Sequence, residues 1–156
     1  QQIPAPHDLN NNPVNKYVAG FIGSPPMNMI EGSIPAENRT LRFRDDTGEI
    51  LLDADIRHRP ALEAYAGNRV IMGVRPEHFV VNAAQTARDG KSITSKVDVV
   101  EPMGSEIYLY LAAGKLILTA RIDNEREPAV DSTYVLDVAM DRAHYFDVKT
   151  EKAIRS

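Results

Sequence analysis

The sequence has 156 residues, of which 43% are hydrophobic and 26% are charged, a mixture typical of an ordinary globular domain. The 18 basic and 22 acidic residues leave a formal charge of −4, which offers no basic footprint for a phosphate backbone and argues against a nucleic-acid partner. The sequence has no cysteine, which excludes disulfides and thiolate metal sites. The chain opens at Gln1, and we expect it to be a piece of a longer protein.

The first segment has the pattern of a short amphipathic helix. Asn12 suits the N-cap and Pro13 the first helical position, whereas Gly23 and the pair Pro25-Pro26 favour an end to the helix. Five apolar residues recur at helical spacing and form one stripe: Val14, Tyr17, Val18, Phe21 and Ile22. The pattern leaves two alternatives open, because the stripe can pack either on the β-domain of this chain or on a further domain.

After the two prolines the pattern becomes that of β-strands. Residues 41–44 alternate apolar and basic side chains, 45–48 have turn composition, and 49–52 predict the returning strand of a hairpin. Residues 60–66 predict a short helix that a glycine ends. Residues 70–74 alternate again and predict another strand.

The second half repeats this β pattern after a polar segment, residues 83–95, that predicts a loop. Alternation predicts that one set of side chains faces inward: Val97, Val99, Ile107, Leu109 and Leu111. It predicts that a second set faces outward: Asp98, Val100, Glu106, Tyr108 and Tyr110. A turn at 113–114, a strand at 116–120 and a strand at 134–140 follow. Short strands separated by turns predict a mainly β fold, a barrel with a short N-terminal helical arm.

Motifs for catalysis, cofactors or metals are missing from the sequence. Residues 90–92 read Gly-Lys-Ser, but a phosphate-binding loop needs a glycine where Gln85 stands and a helix where β-forming residues follow. The four histidines lack the spacing of a metal-binding helix: His7, His58, His78 and His144. We therefore predict that the chain is not an enzyme and holds no metal or cofactor.

Five segments, in chain order, resemble the ATP-binding subunit of sugar-importing ABC transporters of the maltose-importer type. Residues 1–3 resemble the last strand of its ATPase domain, and residues 13–28, PVNKYVAGFIGSPPMN, resemble the hinge that follows. Residues 73–78, GVRPEH, 99–106, VVEPMGSE, and 141–147, DRAHYFD, resemble elements of its regulatory domain. The resemblance spans nearly the whole chain.

The resemblance implies a transport-associated, oligonucleotide-binding-type (OB) β-barrel made of two similar β halves. Residues 1–26 would be the end of the ATPase domain and a linker helix, whose apolar stripe packs on that domain, and residues 27–156 the regulatory barrel. ATP and Mg²⁺ would be cofactors of the intact subunit only. That subunit would lie in the cytoplasm, peripheral on the inner face of the cell membrane, under membrane-spanning permease subunits.

The leading functional prediction is a non-catalytic regulatory and dimerisation domain of such an ATPase. A homodimer contact between barrels would keep the two ATPase halves at a local concentration around millimolar. The candidate interface residues are Glu101, Met103, Gly104, Ser105, Glu106, Tyr108, Tyr110 and Ile117. The alternative for the two tyrosines is packing under a neighbouring strand of the same barrel.

The alternative function is a barrel that binds a small anion or a regulatory protein and so controls the transporter. Arg75 and His78 are the candidate anion site, because a guanidinium offers planar, bidentate hydrogen bonds. Arg75 could equally form a structural pair with Glu77 or Asp98. Single-stranded nucleic acid ranks last, since that function needs a basic groove with stacking aromatics and aromatic residues make up only 6% of the sequence.

Overall fold

The computed structural model describes residues 25–36 and 40–155. Within these ranges the chain forms ten β-strands, arranged as two five-stranded antiparallel sheets, which confirms the predicted mainly β fold. The predicted helix with its apolar stripe lies outside the described residues: Val14, Tyr17, Val18, Phe21 and Ile22. The boundary between residues 26 and 27 remains a prediction.

The first sheet has the strand order β10-β4-β1-β2-β3. Its strands are β1 (Asn28–Ser33), β2 (Arg42–Asp45), β3 (Leu51–Asp53), β4 (Arg69–Val74) and β10 (His144–Asp147). Strand β4, between β10 and β1, is buried on both faces, since Met72 lies in the main core and Ile71 packs with Met27 and Phe146 in a smaller cluster. The strands predicted at 41–44 and 70–74 are confirmed.

Asp45 holds the predicted hairpin turn between β2 and β3. Its carboxylate is 2% exposed and accepts hydrogen bonds from the backbone nitrogens of Thr47 at 2.9 Å and Ile50 at 2.6 Å. Gly48 has a φ of 81°, a conformation that side chains disfavour. The turn therefore follows from two residues, a buried carboxylate that satisfies the backbone and a glycine that supplies the left-handed conformation.

The second sheet has the order β5-β9-β6-β7-β8. Its strands are β5 (Phe79–Val81), β6 (Ser92–Met103), β7 (Glu106–Ala113), β8 (Leu116–Asp123) and β9 (Thr133–Val138). Each sheet takes one strand from the other half of the sequence, because β5 precedes the polar segment and β10 follows β9. This exchange ties the two halves together.

Three sequence predictions in this half are corrected. The segment predicted as a loop, 83–95, is a loop only to residue 91, because β6 begins at Ser92. Ile93 and Ser95 of this strand are buried, but the polar residues between them made the segment resemble a loop. The strand at 134–140 ends at Val138, and Met140 begins a 3-10 turn. Polar residues that alternate with buried ones resemble a loop when composition alone is considered.

The third correction concerns the facing of β6. The register with β7 shifts between Val97 and Val99, so that Asp98 is an extra residue opposite no partner. A bulge of one residue reverses the alternation beyond it. As a result Val99 points outward, 51% exposed, whereas Val100 packs against the core.

The predicted helix at 60–66 forms as a four-residue helix, α1 (Arg59–Leu62), followed by a 3-10 turn, Glu63–Tyr65. Leu62 is fully buried and anchors it. Tyr65 donates a hydrogen bond to Asp147 of β10 at 2.8 Å, which fixes the turn to the first sheet. No helix in the described ranges is long and apolar enough to cross a membrane.

One core joins the two sheets. It combines side chains from both, among them Phe43, Leu52, Met72, Leu109, Leu111 and Leu136, all at most 1% exposed. Because each sheet buries one face against the other, the outer faces remain for solvent or partners.

Asn28 connects the open edge of β8 to the first sheet. Its side-chain amide nitrogen donates to the carbonyl oxygens of Thr119 and Val74, both at 2.9 Å, and its amide oxygen accepts from the Thr119 nitrogen at 2.8 Å. The Asn28 side chain thus makes the hydrogen bonds to Thr119 that the backbone of a neighbouring strand would otherwise make. This joint closes the edge where backbone pairing stops.

We expect Asn28→Ala to lower the free energy of unfolding by about 2–3 kcal/mol, because it removes three hydrogen bonds and leaves partly buried backbone groups unpaired. Urea unfolding followed by circular dichroism measures this. The control is Asn124→Ala, which removes one exposed hydrogen bond to Gly104 and should cost less than about 1 kcal/mol. Equal losses in the two variants would contradict the proposed joint.

Candidate functional site

The residues predicted as an interface lie together on the strands β6, β7 and β8 and on the turn that joins β6 to β7. They are Glu101, Met103, Gly104, Ser105, Glu106, Tyr108, Tyr110 and Ile117. We call the outward side of these three strands the outer face. The sequence analysis named all eight residues. Seven of them lie on the hairpin of β6 and β7 and its turn, and Ile117 lies on β8 opposite Ala112.

Three large apolar side chains are exposed on the outer face. Val99, Met103 and Ile117 are 51%, 54% and 67% exposed. Val99 on β6 is the cross-strand partner of Tyr110 on β7. This pair places an exposed valine beside a half-buried tyrosine. The bulge at Asp98 creates this pairing on the outer face, because without the bulge Val99 would face the core.

Charged groups border the tyrosines. Tyr110 donates a hydrogen bond to Glu101 at 2.8 Å, and this bond is the main cause that raises the pKa of the Tyr110 hydroxyl. Arg121 lies opposite Tyr108 and its Nε is 3.5 Å from a Glu106 oxygen. The outer face therefore carries tyrosine, methionine and arginine side chains, which are types enriched at protein–protein contacts, together with acidic groups.

The hairpin turn at the end of this face is exposed but ordered by Asn124. Gly104 has a φ of 83°, which the turn requires. The Gly104 carbonyl accepts from the Asn124 side chain at 3.1 Å, and the Ser105 carbonyl accepts from the Asn124 backbone nitrogen at 3.0 Å. The turn is thus held in one shape by the residues that follow β8.

The candidate anion residues, Arg75 and His78, lie in a partly buried group of arginine and histidine side chains. Arg75 is 4% exposed, and burial lowers the pKa of its guanidinium while Glu77 opposes that effect. His78 is half-buried, and burial lowers its pKa as well. The nearby charge of Glu77 supports the structural alternative for Arg75, whereas Asp98 lies on the bulge of β6.

The structure adds His144 and His58 to this group, which sequence reasoning missed. His144 comes from β10, beside Gly73 of β4, and His58 precedes α1 with its ring 5.4 Å from that of Tyr145. Nothing in the sequence spacing brings these residues together, since only the pairing of β10 with β4 does so. In the described ranges no group of three or more histidines and carboxylates is arranged to hold a metal ion.

Burial and the positive charge of Arg75 lower the pKa of His144 to about 4, with His58, His78 and Arg155 adding to the effect. The unfolded chain binds a proton at His144 near pH 6.5, whereas the folded chain does not until about pH 4. The unfolded state therefore gains protons first, and stability must fall as pH drops through this window.

We expect His144 alone to remove up to about 3 kcal/mol of stability between pH 7 and pH 4. Unfolding of the wild type and of His144→Gln across this range measures it. The stability of the variant at pH 8 gives the packing cost of the substitution, and its pH curve should be flatter than that of the wild type. Parallel pH curves for the two proteins would contradict the prediction.

Two domain families match the chain. Residues 23–79 match the MalK OB fold domain, and residues 72–146 match the TOBE domain. The two matched regions meet at β4 and the Pro76–His78 turn, which also carry Arg75 and His78.

Relatives among curated proteins match over nearly the whole chain. YurJ, an ABC transporter ATP-binding protein of Bacillus subtilis, is 37% identical over 155 residues, which is 99% of this chain and 42% of YurJ. MsmK of Streptococcus mutans, a multiple sugar-binding transport ATP-binding protein, is 32% identical over 99% of this chain and 41% of its own length. SmoE of Agrobacterium fabrum, a sulfoquinovosyl glycerol transport ATP-binding protein, is 32% identical over 99% of this chain and 40% of its own length.

Among solved structures, the cytoplasmic molybdate-binding protein ModG is similar in fold, with a TM-score of 0.60 and 13% sequence identity over 76% of this chain and 94% of ModG. The chain spans about two fifths of the length of the curated relatives it matches. The chain therefore contains a MalK-type OB fold domain and a TOBE domain, and its curated relatives are ATP-binding proteins of ABC transporters, sugar transporters among them.

Proposed function

We propose that this chain is the non-catalytic regulatory and dimerisation domain of the ATP-hydrolysing subunit of a carbohydrate ABC importer. Two relatives whose names describe sugar or sugar-glycerol transport, MsmK and SmoE, support the substrate class. ATP and Mg²⁺ act in the intact subunit, which works in the cytoplasm against the inner face of the membrane together with permease subunits.

The observation that carries the dimerisation role is the outer face. Its exposed apolar residues have no contact within the described chain that would cover them, and burying a side chain such as Ile117 stabilises a contact by roughly 1.5–3 kcal/mol. Tyr108 and Tyr110 add large side chains that lose little conformational freedom on binding. A second copy of the chain supplies the same apolar patch.

A two-fold axis through the outer face makes the contact self-complementary. Glu101 and Arg121 lie in the same cross-strand row, on either side of Tyr108, so that a rotated copy brings the acidic end of one row to the basic end of the other. An ordinary contact of roughly 800 Å² per partner is sufficient. Held in this way, two ATPase halves that separate after hydrolysis stay at a local concentration around millimolar and re-form without a new encounter.

The second candidate function is control of the transporter by a small anion or a regulatory protein. Arg75 and His78, joined by His144, concentrate positive and protonatable groups in one place. Because Arg75 is 4% exposed, an anion reaches it only where the covering side chains move aside. The exposed turn at residues 101–106 is the more accessible surface for a regulatory protein.

We expect the wild-type chain to associate between micromolar and millimolar concentrations and Ile117→Glu to weaken this association at least tenfold. In a two-fold symmetric contact each substitution is present twice, and every 1.4 kcal/mol of lost binding free energy raises the dissociation constant tenfold. Sedimentation velocity measures the association. Ile117 is 67% exposed, so its replacement leaves the barrel folded.

The matched control is Val80→Glu, which introduces the same charge at an exposed valine of β5, at the opposite edge of the second sheet. Its dissociation constant should stay within about threefold of the wild-type value, a difference below 1 kcal/mol. A wild-type chain that stays monomeric at every concentration, or a Val80→Glu effect equal to that of Ile117→Glu, would overturn the proposed dimer face.

A further inference from the structure

Strand pairing arranges the side chains of the outer face in cross-strand rows. One row contains Glu101 on β6, Tyr108 on β7 and Arg121 on β8, because Tyr108 is the direct partner of both charged residues. Directly paired residues of antiparallel strands point to the same side of a sheet. The row therefore has a carboxylate at one end, a tyrosine in the middle and a guanidinium at the other end.

The two charges of this row are only weakly neutralised within the chain. Glu101 is exposed and accepts a hydrogen bond from Tyr110, but within the described ranges no cation lies within ion-pair distance of its carboxylate. The Arg121 side chain is 35% exposed, and its Nε lies 3.5 Å from Glu106 without a hydrogen bond. Both ends of the row can therefore gain from an opposite charge supplied by a partner.

The row restricts how a second copy can pack on the outer face. When two copies pack face to face, Glu101 of one copy lies over Arg121 of the other only if the two-fold axis passes midway between these residues, parallel to β7. An axis across the strands would leave β6 of one copy over β6 of the other and would place Glu101 over Glu101 or Val99. Charge complementarity therefore favours the axis along the strands, which also gives the aligned packing common between two sheets.

We propose that Glu101 and Arg121 select a second copy of this chain as the partner of the outer face, through two equal contacts in which Glu101 of each copy pairs with Arg121 of the other. The proposal deepens the dimerisation role and rests on it. A guanidinium and a carboxylate suit each other in geometry as well as in charge. A subunit with another charge pattern in this row would bring like charges together or leave both charges unpaired, so the row discriminates between partners.

The rows on either side of this one fit the same axis to different degrees. Lys96 and Ile117 are both direct or next partners of Ala112, at opposite ends of one row, so the axis places Ile117 over the aliphatic stem of Lys96 in the other copy. On the side of the turn, Glu106 lies on β7 and would meet its own copy at the axis, where only the Arg121 guanidinium offsets the two like charges. The contact is therefore centred away from the turn, toward Ile117.

The test is charge reversal in the whole chain, with self-association measured by sedimentation velocity. We expect Glu101→Arg and Arg121→Glu each to weaken self-association about tenfold or more, because each variant brings like charges together in both contacts. An equimolar mixture of the two variants should associate within about threefold of the wild-type dissociation constant. In the mixed pair one copy carries both positive charges and the other both negative charges, so each contact again joins opposite charges.

The matched controls are Glu63→Arg and Lys149→Glu, which reverse the same two signs of charge at exposed residues outside the outer face. Singly or mixed, they should associate within about threefold of wild type. Tyr110→Phe keeps the ring but removes the hydrogen bond to Glu101, and it should also stay within about threefold. Recovery in the mixture shows that the two charge-reversed variants are folded.

The outcomes separate this pairing from the dimerisation role itself. A mixture that associates no better than either variant by itself, or controls that weaken association equally, would overturn the selection by Glu101 and Arg121. If Ile117→Glu weakens association and the charge reversals do not, the dimer face stands and the pairing is wrong. A wild-type chain that stays monomeric at every concentration overturns both.

Discussion

The fold depends on side-chain amides that complete backbone pairing where strands end. Asn28 bonds both backbone groups of Thr119 on the open edge of β8, and Gln85 does the same for Val135 of β9, with bonds of 2.9 and 3.0 Å. An unpaired strand edge leaves polar groups without partners and invites other chains to pair with it. A side-chain amide presents an N–H donor and a carbonyl acceptor side by side, as a peptide unit does, and so closes the edge without another strand.

This closure decides which surfaces remain for function. Both sheets bury their inner faces in one core, and β5 and β10 cross between the halves of the sequence. What stays exposed is the outer face of β6, β7 and β8, and the bulge at Asp98 adds Val99 to it. The same irregularity that bends the barrel therefore enlarges the apolar surface proposed for a second copy.

The charged groups of the molecule are arranged differently on the surface and in the interior. On the surface, carboxylates and arginines form ion pairs, such as Asp53 with Arg42 and Asp137 with Arg88. In the interior, Arg75 and three histidines lie near one another, and burial keeps the histidines neutral near pH 7. Protonation of these histidines is disfavoured, because they are partly buried and lie near a side chain that is already a cation, so acid destabilises the folded chain here.

The sequence by itself determined the strands, the Asp45 turn and the family resemblance, because alternation, turn residues and ordered motifs are local features. It also placed Tyr108 and Tyr110 outward, since a strand without a bulge alternates faithfully. Only the tertiary structure decided which way Val99 faces and that β6 begins at Ser92. At Val99 the extra residue of the bulge interrupts the apolar–polar alternation, and at Ser92 the polar outward residues conceal it. It alone brought Arg75, His58 and His78 to His144, because contacts between distant segments depend on which strands pair, and no local pattern encodes that choice.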